Sequence, residues 1–214
     1  MAKYYSFFKF PLLIKFFLIY FIVFLNVASC DQSDQKENLN TQNNLIALGS
    51  NKAPVKIKIF SSLTCPHCAS FHIEVVPKIK KEYVDTGKVQ IIFIDFPLDQ
   101  ASFNASKLLH CSDQEKQMSF LDTIYETQAK WTNGSTIDEI NENLKKIVKN
   151  LGINTNKFNK CLIDEVISDK ILNGRINANE KYSINSTPTI IINEKKLKGS
   201  ADFKNIKKNI EKLI

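Results

Sequence analysis

Four residues, Cys65-Pro66-His67-Cys68, stand between a stretch that reads as a strand and one that reads as a helix, and this junction constrains the fold most. In VKIKIF (55–60), Val55, Ile57 and Ile59 alternate with Lys56 and Lys58, the two-residue period of a half-buried strand. From Pro66 to Tyr83, the residues Val75, Val76, Ile79 and Tyr83 fall at helical spacing. Both thiols therefore sit where a strand gives way to a helix N-terminus, Cys65 at the start and Cys68 one turn in on the same side. Pro66 suits the first helical position, because its φ is already set and its missing N–H has no partner to lose. Pro77 should kink the helix, since it lacks an N–H and crowds the preceding turn.

The first N–H groups of a helix lack internal partners and carry partial positive charge. A thiolate there is stabilised, and His67 in cationic or donor form adds to the effect. Such settings bring a cysteine pKa from about 8.5 down to roughly 3.5–7.5. A dithiol stabilised in its reduced, ionised form is a strong oxidant once it becomes a disulfide. C-x-x-C by itself is a weak signal. Zinc is a competing use, with His72 four residues beyond Cys68 on the same helix face. No second C-x-x-C or H-x-x-x-H pair completes a tetrahedron, so no metal is expected and His72 reads as a surface helix residue.

The N-terminal 15 residues carry Lys3, Lys9 and Lys15 and no acid; ten apolar residues follow, Phe16 to Leu25, and then Val27-Ala28-Ser29-Cys30. A basic start, a short apolar run and small residues at the exit make a secretory signal over 1–30. A bilayer span takes about 20 apolar residues, so this run is too short to be one. Val-Ala-Ser-Cys also resembles a bacterial lipobox, in which Cys30 is lipidated and becomes the new N-terminus. An ordinary cleavage site near Ser29 or Cys30 is the plainer alternative. Lipidation is preferred because it accounts for a fifth cysteine otherwise without a partner. Residues 31–44, DQSDQKENLNTQNN, are a solvated tether. Removing the leader takes away three lysines, so a charge of 29 minus 22 becomes 26 minus 22, or +4. That excess is spread over many lysines without interleaved aromatics, and nucleic-acid binding is not expected.

Residues 45–214 are enough for one domain with a substantial core. After the first helix, Asp85-Thr86-Gly87-Lys88 reads as a turn and VQIIFIDF (89–96) as a strand buried on both faces, as in a parallel sheet. Together with VKIKIF and the helix this makes a right-handed βαβ unit. Residues 101–183 read as helices over Phe103–Cys111, Gln114–Trp131, Thr136–Leu151, Thr155–Glu165 and Ser168–Tyr182. Thr136 and Glu139 form a capping-box pattern. Cys111 and Cys161 lie on adjacent helices of this block; in an exported protein they would form a structural disulfide, the alternative being two buried free thiols. Beyond Ser186-Thr187-Pro188, TIIIN (189–193) and 195–198 read as a hairpin, and Phe203, Ile206 and Ile210 give a last helix. The expected class is α/β, in two parts (45–100 and 184–214) interrupted by a helical insertion.

This order, with C-P-H-C after the first long strand and Thr-Pro before the later one, resembles the DsbA-type thiol–disulfide oxidoreductases of the thioredoxin superfamily. Gly49 to Phe60 and Asp95-Phe96-Pro97-Leu98 are similar to that family too, and the likeness spans about Ala47 to the C-terminus. The resemblance implies a thioredoxin-like fold with a helical insertion, and no cofactor beyond the Cys65–Cys68 disulfide. It implies Cys65 as nucleophile, Cys68 as buried resolving thiol, Pro188 as a cis-proline facing them, and Thr187 offering backbone hydrogen bonds to an extended substrate. Many thioredoxin-fold enzymes carry a buried acid six residues before the first cysteine. Here that position is Ile59. Proton transfer at Cys68 must then use water or another group, a limit on reductase more than on oxidase action.

The expected activity is a bacterial, periplasmic oxidase, held to the membrane through Cys30, that passes its disulfide to unfolded or reduced secreted proteins. A membrane partner that hands electrons to quinone would reoxidise it. An isomerase or reductase of the same fold is the near alternative, and a non-catalytic chaperone or metal-binding module the distant one.

Overall fold

The computed structural model describes residues 45–214. The expected signal segment, the tether and Cys30 lie outside the described residues. Five strands form one mixed sheet in the order β1-β3-β2-β4-β5. They are β1 (Ile46–Leu48), β2 (Val55–Ser61), β3 (Val89–Asp95), β4 (Thr189–Ile192) and β5 (Lys195–Lys196). β2 is central, parallel to β3 with Ile57 opposite Ile91, and antiparallel to β4 with Ile59 opposite Ile190. That position explains its pattern: Val55, Ile57 and Ile59 are buried on one face, while Lys56 and Lys58 are only part-covered on the other. The apolar run expected to be buried on both faces is buried from Val89 to Ile92 and pairs in parallel, as expected. β1, three residues with no readable alternation, adds an antiparallel edge to β3. Gly49 ends it with φ +93°, and a Cβ there would meet the Val89 carbonyl oxygen at 2.7 Å, so only glycine makes this turn.

A continuous helical run, α1, crosses from β2 to β3. It alternates α-helix (Pro66–Ser70, Val76–Ile79) with π-helix (Phe71–Val75, Lys80–Val84). A widened turn stands just before Pro77, where the kink is expected. The Val76 N–H bonds the Phe71 carbonyl, five residues back, which relaxes the backbone where the proline can supply no donor. Val76, Ile79 and Tyr83 bury on the sheet together with Ile206 and Ile210 of the last helix.

Among the described residues seven further α-helices follow: α2 (Gln100–Cys111), α3 (Gln117–Glu126), α4 (Gln128–Trp131), α5 (Ile137–Lys149), α6 (Thr155–Leu162), α7 (Glu165–Tyr182) and α8 (Phe203–Ile210), with a short 3-10 turn Gln114–Lys116 ahead of α3. All but α8 lie between β3 and β4 in the chain, the interrupted α/β class expected from the sequence. The helix expected over Gln114–Trp131 is broken at Thr127, whose hydroxyl bonds back to the Thr123 carbonyl at 2.6 Å. The break lets Trp131 turn inward, fully buried, with its indole N–H on the Ile124 carbonyl at 2.9 Å. Asp99, Asn154, Asp164 and Asp202 each cap a helix by accepting a backbone N–H. At the predicted capping box the Thr136 hydroxyl accepts from Glu139 N–H, while the Glu139 carboxylate reaches the N–H of Ser135 instead of Thr136.

His72 is not a surface residue. It is 7 % exposed, its Nε2 lies 2.7 Å from Asp122 Oδ1, and its ring packs 4.8 Å from Tyr125 and 5.5 Å from Phe93. The widened turn Phe71–Val75 carries it, so simple helical spacing misjudged its face.

The β4–β5 turn places Asn193 (φ 42°) and Glu194 (φ 67°) in the left-handed region, the two-residue turn that matches strand twist. Glu194 there meets Lys58, Lys181 and the Tyr182 hydroxyl. Lys181 first, then Lys58 and Tyr182, pull its carboxyl down to about 2. A folded-state value below the unfolded one makes the stabilisation complete above about pH 4.3 and lost as pH falls toward 2. Glu194→Gln should therefore cost under about 1 kcal/mol at neutral pH, since the site is half exposed, and nothing near pH 2. Paired melting curves across that range check this.

Candidate active site

β2 ends at Ser61, and Ser62-Leu63-Thr64 carries the chain to Cys65. Side chains from distant helices pin this segment. The Ser102 hydroxyl, at the start of α2, accepts from the Leu63 N–H and from the Ser62 hydroxyl, each at 2.8 Å. The Thr64 hydroxyl donates to Asp99 Oδ2 at 2.6 Å, the same carboxylate that caps α2. Gln128, at the start of α4, donates to the carbonyls of Leu63 (2.8 Å) and Cys65 (3.1 Å). None of these residues was singled out in the sequence. Asp99-x-x-Ser102 carried a readable cap pattern, but Gln128 acts across 63 and 65 positions and left no local signal.

Cys65 is the N-cap of α1 and Pro66 its first residue. The Cys65 carbonyl accepts from Cys68 N–H (3.0 Å) and Ala69 N–H (3.2 Å), so the helix begins at the motif. Both thiols are free; Cys65 is half-buried and Cys68 is 1 % exposed. Pro66 and His67 are exposed. The Cys65 thiol donates to the Thr187 carbonyl at 3.4 Å, and the Thr187–Pro188 peptide is cis. Thus the loop before β4 faces the motif, bringing Cys65, Thr187 and Pro188 together. Beside them runs a groove of about 450 Å³ lined by His67, Phe71, Val75, Thr187, Pro188 and Ala201.

The two sulfurs differ in environment. Burial pushes the Cys68 thiol up to about 12; the Thr187 side chain and the Ser62 backbone act against it, and the Cys65 sulfur adds to it. The Thr187 hydroxyl is buried without a partner at hydrogen-bond geometry, yet it lies close enough to stabilise negative charge on Cys68. Ile59 is fully buried in the sheet and offers no proton acceptor.

Cys111 and Cys161 are joined by a disulfide with Cα atoms 6.0 Å apart, tying the end of α2 to α6. Among the described residues, no group of three or more His, Cys, Asp or Glu side chains is placed to hold a metal ion.

The family model described as thioredoxin matches residues 41–212. The protein named probable disulfide bond formation protein D of Bacillus anthracis is 30% identical over 186 residues, 85% of this chain and 84% of that protein. The crystal structure of alpha-DsbA1 from Wolbachia pipientis superposes with a TM-score of 0.70 at 35% identity, covering 79% of this chain and 90% of that one. BdbD from Bacillus subtilis, in its oxidised form, superposes with a TM-score of 0.67 at 27% identity, over 79% and 92%. The fold is thioredoxin-like with a helical insertion, and the likeness runs through the thiol motif and the insertion alike. The chain belongs to the thioredoxin family, as a DsbA-type protein thiol–disulfide oxidoreductase.

Proposed function

We propose that this enzyme is an exported dithiol oxidase whose Cys65–Cys68 disulfide is donated to reduced secreted proteins in the bacterial periplasm. Residues 45–100 and 184–214 would form the redox part and 101–183 the insertion. A substrate thiolate attacks Cys65 Sγ, the Cys65–Cys68 bond breaks, and its electron pair leaves on Cys68, which takes up a proton. A second substrate thiolate then attacks the substrate sulfur of the mixed disulfide and releases Cys65 as a thiolate. Two electrons pass to the enzyme and one disulfide to the substrate. Pro66 and His67 flank the nucleophile, and Thr187 and Pro188 offer the edge along which an extended peptide lies.

The observation that carries this reading is the asymmetry of the pair: a part-exposed Cys65 bonded to Thr187 of the groove wall, and a Cys68 sealed from solvent. Attack is thereby confined to one sulfur. Mixing oxidised enzyme with a reduced, unfolded secreted protein tests it. Loss of two substrate thiols per enzyme supports an oxidase. No such loss, with rescue of a scrambled substrate by the reduced enzyme, supports the isomerase or reductase alternative.

A quinone-linked membrane protein would restore the disulfide, and lipid on Cys30 would hold the enzyme beside it. Cys30→Ser should then move the protein from the membrane to the soluble fraction after cell fractionation. Unchanged membrane association and processing would refute the anchor.

A further inference from the structure

The redox reading above leaves Cys68 needing a proton each time its bond to Cys65 opens. A thiol pushed up to about 12 is a poor leaving group as a bare anion, and Ile59 cannot supply the proton. One cluster of buried ionisable groups in the fold has no part in the thiol site as described so far. Asp95, the last residue of β3, accepts from the Ser106 hydroxyl at 2.6 Å and faces His110 Nε2 at 2.6 Å. Both side chains are nearly buried, at 11 % and 13 % exposed.

Tyr125 of α3 lines one small cavity with Asp95 and Ser61. It packs in the same cluster as Cys68, Leu63 and Leu109. Burial holds its phenol protonated far above the ordinary tyrosine range; the Cys68 sulfur adds to this, the Ser61 side chain opposes it as a hydrogen-bond partner, and Asp95 adds to it again. Its ring is fixed from the other side by His72, which is held by Asp122. This cavity, of about 10 Å³, is otherwise walled by apolar side chains such as Leu63, Leu109 and Leu121. That is close to the room one water needs, with three polar side chains to hold it. The groups facing Asp95 are therefore Ser106 and His110 from α2, Ser61 from β2 and Tyr125 from α3; Arg175 of α7 lies over the ring of the next residue, Phe96.

We propose that Asp95 and His110, acting through the Tyr125 hydroxyl and one water in this cavity, exchange the proton that Cys68 gains when the Cys65–Cys68 bond opens and loses when it re-forms. As the bond breaks, the Tyr125 hydroxyl gives its proton to the departing sulfur and takes one from the water. The water is restored by the Asp95–His110 pair, and His110, nearest solvent of the two, is reprotonated from outside. Re-forming the disulfide reverses each transfer. Asp95 and His110 hold and pass the proton without touching either sulfur.

The test is the rate at which dithiothreitol opens the disulfide of the oxidised full chain, by rapid quench across pH 5–9. Tyr125→Phe keeps the ring and its packing, so it is read beside Asp95→Asn and His110→Gln. Each should slow opening at pH 7 by on the order of 10²-fold, with the deficit shrinking toward pH 5 as solvent protons substitute. In a Cys68→Ala background, where no proton need reach residue 68, the same substitutions should leave alkylation of Cys65 by iodoacetamide within about twofold. Opening of folded Tyr125→Phe at the wild-type rate overturns the relay, as does an equal loss in both assays. Failure of the wild-type disulfide to exchange at all would instead overturn the redox reading beneath it.

Discussion

Cys65→Ala should abolish disulfide transfer to a reduced protein substrate, while Cys68→Ala, given a substrate that still carries its own disulfide, should attack it through Cys65 and be held with it as one covalent species on non-reducing gels. The two outcomes differ because the thiols do. Cys65 lies at the helix start beside the groove, whereas Cys68 is 1 % exposed and beyond reach of a protein substrate. Without Cys65, no other accessible free thiol exists among the described residues. Without Cys68, a mixed disulfide on Cys65 has no internal thiolate to displace it, and it persists until a second external thiol arrives. Transfer that survived in Cys65→Ala, or a trapped species formed by that variant, would place the chemistry elsewhere.

The second large effect concerns stability. The Cys111–Cys161 bond closes a loop with a sequence separation of 50. Chain-entropy arguments put its contribution at about 4 kcal/mol for a loop of that length. In a folded unit of this size, about 4 kcal/mol corresponds to a fall in melting temperature of roughly 10 °C. The double variant Cys111→Ala/Cys161→Ala should therefore melt about 10 °C below wild type in calorimetry. Its exchange rate at Cys65 should stay within about twofold, since Gln128, Ser102 and Asp99 pin the active loop without that bond. A melting shift of only 1 or 2 °C would mean that the helices hold together without it.

Local patterns explain what could be read from the residues alone. β2 alternates, the motif follows it directly, Pro66 marks the first helical position, and Thr187-Pro188 precedes an apolar β-branched strand. Each is a short-range signal. What escaped reading depends on distance along the chain or on backbone choices that side-chain spacing does not report. β1 is too short to show a period and exists because the edge of β3 is there to pair with. The widened turn before Pro77 rotates the helix, so His72 turns inward against Tyr125. The helix expected from Gln114 to Trp131 breaks at Thr127, and that break presents Gln128 to the carbonyls of Leu63 and Cys65. Asp95 read only as the start of a family-like Asp-Phe-Pro-Leu segment. Its pairing with His110, fifteen residues on, becomes visible only once α2 is laid against β3.

The central claim is that the disulfide between residues 65 and 68 is readily given away, and its redox equilibrium against glutathione tests this most directly. The account predicts a reduction potential above about −200 mV, so that the pair is largely reduced where glutathione mixtures are already oxidising. A potential below about −250 mV, in the range of reducing dithiols, would contradict it.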